Sequence, residues 1–186
     1  MTEPGERLAT DDPTWTDDPT WLEDLRGLAR PHALLLCGLP GSGKTVLAHR
    51  LERELPALRF NIDEWMIALF GHHMPRPVFD ERFATLEKLA WDTARRTLAL
   101  GTSVVLDYGF WSRSARLETA RRVRAAGATP VVLYLEVPQA ELARRLGERN
   151  ATLPGGTYEI TPEMLATFGA RFEAPSEEEG MRLIRP

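Results

Sequence analysis

The sequence has 186 residues, which at roughly 150 residues per domain indicates one folded unit with room for a terminal extension. A unit of this length buries about 70% of its unfolded surface and folds without disulfides; with Cys37 as the single cysteine, no intrachain disulfide can form. Hydrophobic residues at 43%, charged residues at 27% and a net charge of −4 exclude wholly disordered, collagenous and membrane-embedded classes, and disfavour a broad basic field for nucleic acid.

The N-terminus lacks the basic-then-apolar layout of a secretory signal, and the longest apolar runs, such as Ala33 to Cys37, are strand-sized. A cytoplasmic location without membrane attachment is therefore expected. Only Lys44 and Lys88 are lysines, the other basic residues being arginines, so each lysine position is informative.

Residues 1–30 read as an acidic arm followed by a short helix, and 31–186 as the main domain. The arm holds a tandem repeat, Thr10 to Trp15 and Thr16 to Trp21. This fits a tolerant extension, or one whose tryptophans dock on the domain or a partner. Thr20 and Glu23 suit a capping box, with Trp21, Leu25 and Leu28 on one face; Pro31 ends that helix. His32 to Cys37 is an apolar strand, and Thr45 to Leu55 a helix with Leu47, Leu51 and Leu55 aligned. Leu58 to Ile62 is a second strand ending at Asp63. Phe79 to Leu100 is a long helix stopped by Gly101. Ser103 to Leu106 is a third strand ending at Asp107. Ser112 caps a helix to Ala126, Pro130 to Val137 is a fourth strand, and Pro138 opens a helix to Arg149. Thr161-Pro162-Glu163 starts another helix to about Phe172, and Met181 to Ile184 suits a fifth strand. Continuous apolar strands separated by helices give an α/β fold: a parallel sheet of about five strands covered by helices on both faces. Ligands bind such sheets at the carboxyl ends of the strands, where Gly38, Asp63 and Asp107 fall.

Gly38-Leu39-Pro40-Gly41-Ser42-Gly43-Lys44-Thr45 matches G-x-x-x-x-G-K-[ST] between a strand and a helix, the context a phosphate-binding loop requires. Its glycines let successive backbone N–H groups face a phosphate, and the helix N-terminus adds partial positive charge. Lys44 is expected to reach the β- and γ-phosphates of ATP, and Thr45 to place its hydroxyl on Mg²⁺. A carboxylate directly after an apolar strand can hold Mg²⁺, accept the proton of an acceptor hydroxyl, or cap a helix; Asp63 and Asp107 are the candidates. Arg145 and Arg149, four apart, share a helix face near Arg144. They suit a transferring phosphoryl group, or a solvated face paired with Glu141 and Glu148. Residues 150–160, with Pro154-Gly155-Gly156 as hinge and no apolar anchor, read as a short lid.

Taken with Asn61 to Met66, Val104 to Phe110 and Leu142 to Asn150, the loop resembles the small P-loop kinases grouped with chloramphenicol phosphotransferase, zeta toxin and polynucleotide 5′-hydroxyl kinase. The resemblance spans residues 32 to about 180. It implies a P-loop NTPase fold like that of nucleoside monophosphate kinases. It implies Asp63 as catalytic base, a metal or acceptor-side role for Asp107, and lid arginines, Arg145 or Arg149, on the phosphoryl group. A kinase acting on a small-molecule hydroxyl is the leading expectation. A polynucleotide 5′-hydroxyl kinase and a nucleotide-dependent switch acting through a protein partner are the alternatives. Cys37 is expected in the core and Glu177 to Glu179 as a solvated acidic turn. His72 and His73 make a poor metal pair. Trp65, Met66, Phe70, Phe79, Phe110 and Trp111 suit either core or an apolar acceptor wall.

Overall fold

The computed structural model describes residues 20–152 and 155–186. Trp15 and the first copy of the repeat lie outside them. Within the described residues, five parallel strands form one sheet in the order β2-β3-β1-β4-β5. The strands are β1 (His32–Cys37), β2 (Ala57–Phe60), β3 (Ser103–Gly109), β4 (Thr129–Tyr134) and β5 (Arg182–Ile184). The helices are α1 (Thr20–Gly27), α2 (Lys44–Glu54), α3 (Ile62–Phe70), α4 (Arg76–Ala99), α5 (Arg113–Ala125), α6 (Gln139–Thr152) and α7 (Pro162–Arg171).

The period-two geometry of β1 divides the core. Ala33, Leu35 and Cys37 face one side of the sheet with Ala90, Ala94 and Leu98 of α4 and Ala120 and Val123 of α5. Leu34 and Leu36 face the other with Leu47 and Leu51 of α2 and Trp21, Leu22 and Leu25 of α1. The second tryptophan of the repeat is thus docked on the domain, its ring beneath the Arg50 guanidinium at 5.5 Å. A small third cluster joins Leu142 and Leu146 of α6 to Leu165 of α7 and to Leu39 in the loop after β1. Cys37 is buried, as its place in β1 requires.

Several boundaries differ from the sequence reading. The second strand ends at Phe60, not Ile62, and the apolar run beyond it is helix α3. Asn61 decides this: its side chain accepts the Glu64 backbone N–H and caps the helix. Asp63 therefore stands in the first turn of α3. α4 starts three residues before Phe79, with Pro77 in its first turn. Asp107 lies inside β3, which runs on to Gly109. Ser112 and Thr161 cap α5 and α7 through the N–H groups of Ala115 and Met164.

Glu179 is the clearest correction. The acidic turn is not fully solvated, because Glu179 is buried against Arg116, with Oε1 2.6 Å from Nη2 and Oε2 2.8 Å from Nε. Arg116 also donates to the carbonyls of Phe110 and Glu173, fastening the C-terminal segment to α5. No helix among the described residues is long and apolar enough to cross a membrane.

Candidate active site

A cleft of about 1870 Å³ opens over the carboxyl ends of β1, β2 and β3. That volume exceeds the range of a single drug-sized pocket, about 300–1,000 Å³, and leaves room for a nucleotide beside a second molecule. Its phosphate side is built from the loop between β1 and α2. Gly43, at φ 91°, adopts the left-handed conformation that turns the chain into α2, and no side chain caps that helix end. The first-turn N–H groups of α2 are thus left for an anion. Gly41 lets the loop lie on α6, since a Cβ there would stand 3.1 Å from Leu146 Cγ. Lys44 Nζ donates to the Leu39 carbonyl at 2.8 Å, which folds the ammonium back over the loop. Burial lowers the Lys44 pKa, against the raising pull of Asp107 and Asp63.

The structure gathers Lys44, Thr45, Asp63, Asp107, Arg145 and Arg149 around this one cleft. Pro40, Gly41 and Gly43 line it too, whereas Gly38, Leu39 and Ser42 do not. Gly38 anchors the loop: its N–H donates to the Gly109 carbonyl, and its own carbonyl accepts from Trp111 Nε1 at 3.1 Å. Ser42 is buried and Leu39 packs on the α6–α7 cluster.

The two aspartates differ in environment. Asp107 is buried and fully engaged. Its Oδ2 accepts from Asn61 Nδ2 at 2.8 Å and lies 3.4 Å from Arg59 Nη1, and Thr45 lines the cleft with it. Burial raises its pKa, while Lys44, Asn61, Arg59 and Thr45 pull it back. Asp63 reaches the open cleft and accepts no hydrogen bond among the described residues. The protein mass around it and the nearby Asp107 charge raise its pKa, opposed by Lys44 and Arg149. Glu64, its neighbour, is turned away into a fork-like pair with Arg59 at 3.0 and 2.6 Å.

The basic residues of α6 also separate. Arg144 is exposed and pairs with Glu141 and Glu148, both at 2.7 Å. Arg145 lines the cleft, but Glu141 holds its Nε at 2.6 Å. Arg149 is aimed inward: one Nη donates to the Tyr158 carbonyl at 3.0 Å, and its buried Nε has no partner. Tyr158 and Ile160 give this segment apolar anchors, correcting the expectation that it has none. Asn150 exchanges hydrogen bonds with Ile160, Ile160 packs on the α6–α7 cluster and Tyr158 packs on the main core.

Of the apolar candidates, Phe79, Phe110 and Trp111 line the cleft, while Trp65, Met66 and Phe70 do not. Arg59, Asn61 and Tyr158 were missed. Asn61, three residues before Glu64 at the end of a strand, carried a readable capping signal; the other two had none. The donor set suits a magnesium nucleotide. Among the described residues no group of three or more His, Cys, Asp or Glu could cage a metal. A hydroxyl and a carboxylate, Thr45 and Asp107, meet at the end of the phosphate loop, and Mg²⁺ characteristically takes one or two such ligands alongside phosphate oxygens.

Three solved structures share this architecture. A proposed kinase from Chloroflexus aurantiacus is 23% identical, covers 84% of this chain and 88% of its own, and superposes with a TM-score of 0.67. Chaetomium thermophilum Kti12, in complex with ADP-AlF3, is 18% identical over 82% and 88%, with a TM-score of 0.61. The Mycobacterium tuberculosis APS kinase CysC, in complex with AMPPNP and APS, is 16% identical over 86% and 90%, with a TM-score of 0.55. These likenesses establish a P-loop kinase-like fold. The AAA_33 family model, described as an AAA domain, matches residues 34–175, from β1 through the phosphate loop and both aspartates to the end of α7, and the chain belongs to that family.

Proposed function

We propose that this protein is an ATP-dependent kinase that moves the γ-phosphoryl group of ATP to a hydroxyl of a small molecule. The observation that carries this reading is the division between the two carboxylates. Asp107 accepts from Asn61 and lies within reach of Arg59, whereas Asp63 lines the cleft and accepts no hydrogen bond among the described residues.

The acceptor oxygen attacks the γ-phosphorus, the bond from that phosphorus to the β–γ bridging oxygen breaks, and ADP leaves. The acceptor's proton passes to the Asp63 carboxylate, which returns it to water after the product departs. Lys44 offsets charge on the phosphates, and Arg149 meets the transferring group with donors not already committed. Thr45 and Asp107 are the residues that would hold Mg²⁺, which when bound neutralises phosphate charge.

The test incubates the protein with γ-labelled ATP, Mg²⁺ and a panel of hydroxyl compounds. Label is expected on at least one small alcohol, and none with Lys44→Ala that circular dichroism shows to be folded. ATP hydrolysis indifferent to every alcohol but stimulated by a protein would overturn the reading in favour of a switch. Label only on 5′-hydroxyl oligonucleotides would overturn the small-molecule assignment.

A further inference from the structure

Apart from the phosphate loop and Asp63, the cleft has a wall of rings. Phe79 and Phe83 of α4, Tyr108 of β3 and Tyr158 of the segment before α7 are each packed on the core and line the cleft. Phe79 and Phe83 stack with centroids 5.7 Å apart, and Tyr158 meets Phe79 edge-on at 5.9 Å. His72, from the loop between α3 and α4, closes the group at 6.1 Å from Tyr158. The hydroxyls of Tyr108 and Tyr158 are buried without a hydrogen-bond partner. Asp63 lines the same cleft as these rings, so the wall and the proposed base share one site. Such a surface is apolar on its faces, with a few unpaired polar atoms behind it.

The charges beside these rings narrow the occupant. On α4 and α5, Arg76 is paired with Asp80 at 2.8 Å and Arg122 with Glu118 at 2.8 Å, and Lys88 lines the cleft together with Glu87; Arg50 and Arg53 of α2 and Arg171 of α7, which also line it, stand on other elements than the rings. A polynucleotide needs several cations along its phosphates, and a polyol pressed on phenyl faces would lose hydrogen bonds to water. Resting on the kinase reading above, we infer that the acceptor is a neutral alcohol carrying an aromatic ring. Its ring lies against Phe79, Phe83 and Tyr158, and its hydroxyl is presented to Asp63.

Saturation-transfer NMR on the full chain tests this with phenethyl alcohol and tyrosol as aryl alcohols, glycerol and glucose as polyols, and 5′-hydroxyl oligothymidylate. The aryl alcohols are expected to bind, at about millimolar strength for molecules this small, and the others to bind more weakly or not at all. Phe83→Ala is expected to weaken aryl binding about tenfold, and Phe83→Tyr, which keeps the ring face, to retain it. Circular dichroism of both variants separates lost binding from lost folding. Stronger binding of a polyol or the oligonucleotide, or aryl binding indifferent to Phe83→Ala in a folded variant, would overturn the inference. Phosphorus NMR with ATP and Mg²⁺ keeps the two readings apart. Ring-dependent aryl binding without transfer to any alcohol supports the aromatic subsite and counts against the kinase reading alone. Transfer to a polyol with no aryl binding does the reverse.

Discussion

Replacing Arg149 by alanine isolates the group that the structure singles out among the basic residues of α6. Its Nε is buried without a partner, and one Nη is held by the Tyr158 carbonyl at 3.0 Å. A guanidinium has five N–H donors, so donors remain beyond the one held by Tyr158 on a side chain that lines the cleft. A hydrogen bond from a charged donor contributes about 1.5–3 kcal/mol net. One such bond made only in the transition state lowers kcat about 10- to 150-fold on removal. Two bonds to the same phosphoryl group extend the loss to about 10²–10⁴-fold, overlapping measured arginine contributions to phosphoryl transfer. An interaction confined to the transition state leaves KM for ATP nearly unchanged. The assay is steady-state transfer over a range of ATP concentrations, with single-turnover measurements to isolate chemistry from release. Arg145→Ala serves for comparison, and a smaller loss is expected because Glu141 already holds the Arg145 Nε at 2.6 Å. A folded Arg149→Ala with wild-type kcat and a large rise in KM for ATP would refute the reasoning and place this guanidinium on ground-state phosphates. An unchanged enzyme would show that its buried Nε serves only the fold.

Asp63→Asn is expected to lower transfer by about 10²-fold or more, the usual contribution of a positioned base. In the wild type, kcat/KM should rise with pH as Asp63 loses its proton, with a midpoint above the ordinary 3.8 because the surrounding protein and Asp107 raise it; persistence of that limb in the asparagine variant would assign the base elsewhere. His32 is buried with both ring nitrogens unpartnered, and burial, then Arg30, lowers its pKa below 6.5. The unfolded chain therefore takes up a proton as pH falls below 6.5 while the folded chain resists it, so stability is complete above that pH and declines toward the lower folded-state value. Thermal melts across that range should show the decline and a shallower one in His32→Leu; identical slopes would exonerate the histidine. Arg116→Ala strands the buried Glu179 carboxylate and two carbonyls. The expected loss is about 3–5 kcal/mol, or a Tm lower by about 6–20 °C. A shift under about 2 °C would mean that water reaches Glu179 readily.

What the sequence discloses about this molecule depends on how local the physics is. The phosphate loop is legible because Gly43, Lys44 and Thr45 act through neighbours in the chain. The strands β1 and β4 are legible because burial on both faces leaves unbroken apolar runs. α3 was not, since Ile62, Trp65, Met66, Ile67 and Phe70 equally suit a buried strand, and only the cap at Asn61 distinguishes them. Glu179 and Tyr158 depend on partners far away in the sequence. Three consecutive glutamates read as surface until Arg116, 63 positions earlier, is known to lie beneath one of them. Tyr158 reads as a loop residue until α4 brings Phe79 against it.

Two aspartates that are equivalent in sequence, as carboxylates near strand ends, become different reagents through partners brought by the fold. Asp107 sits inside β3, one strand over from Arg59 on β2, and its Oδ2 lies within reach of that arginine and of the Asn61 amide. Asn61 in turn uses its carbonyl to cap α3, so one side chain both supplies a donor to Asp107 and fixes the turn that carries Asp63. Donors to a carboxylate favour its ionised form, which suits a group meant to stay charged beside a metal. Asp63, two residues beyond the Asn61 cap and without a donor among the described residues, keeps the proton affinity that a base needs. Arg59 completes the separation by drawing Glu64 aside at 2.6 Å, which leaves Asp63 as the uncommitted carboxylate of the α3 first turn on the cleft that Arg149 also lines.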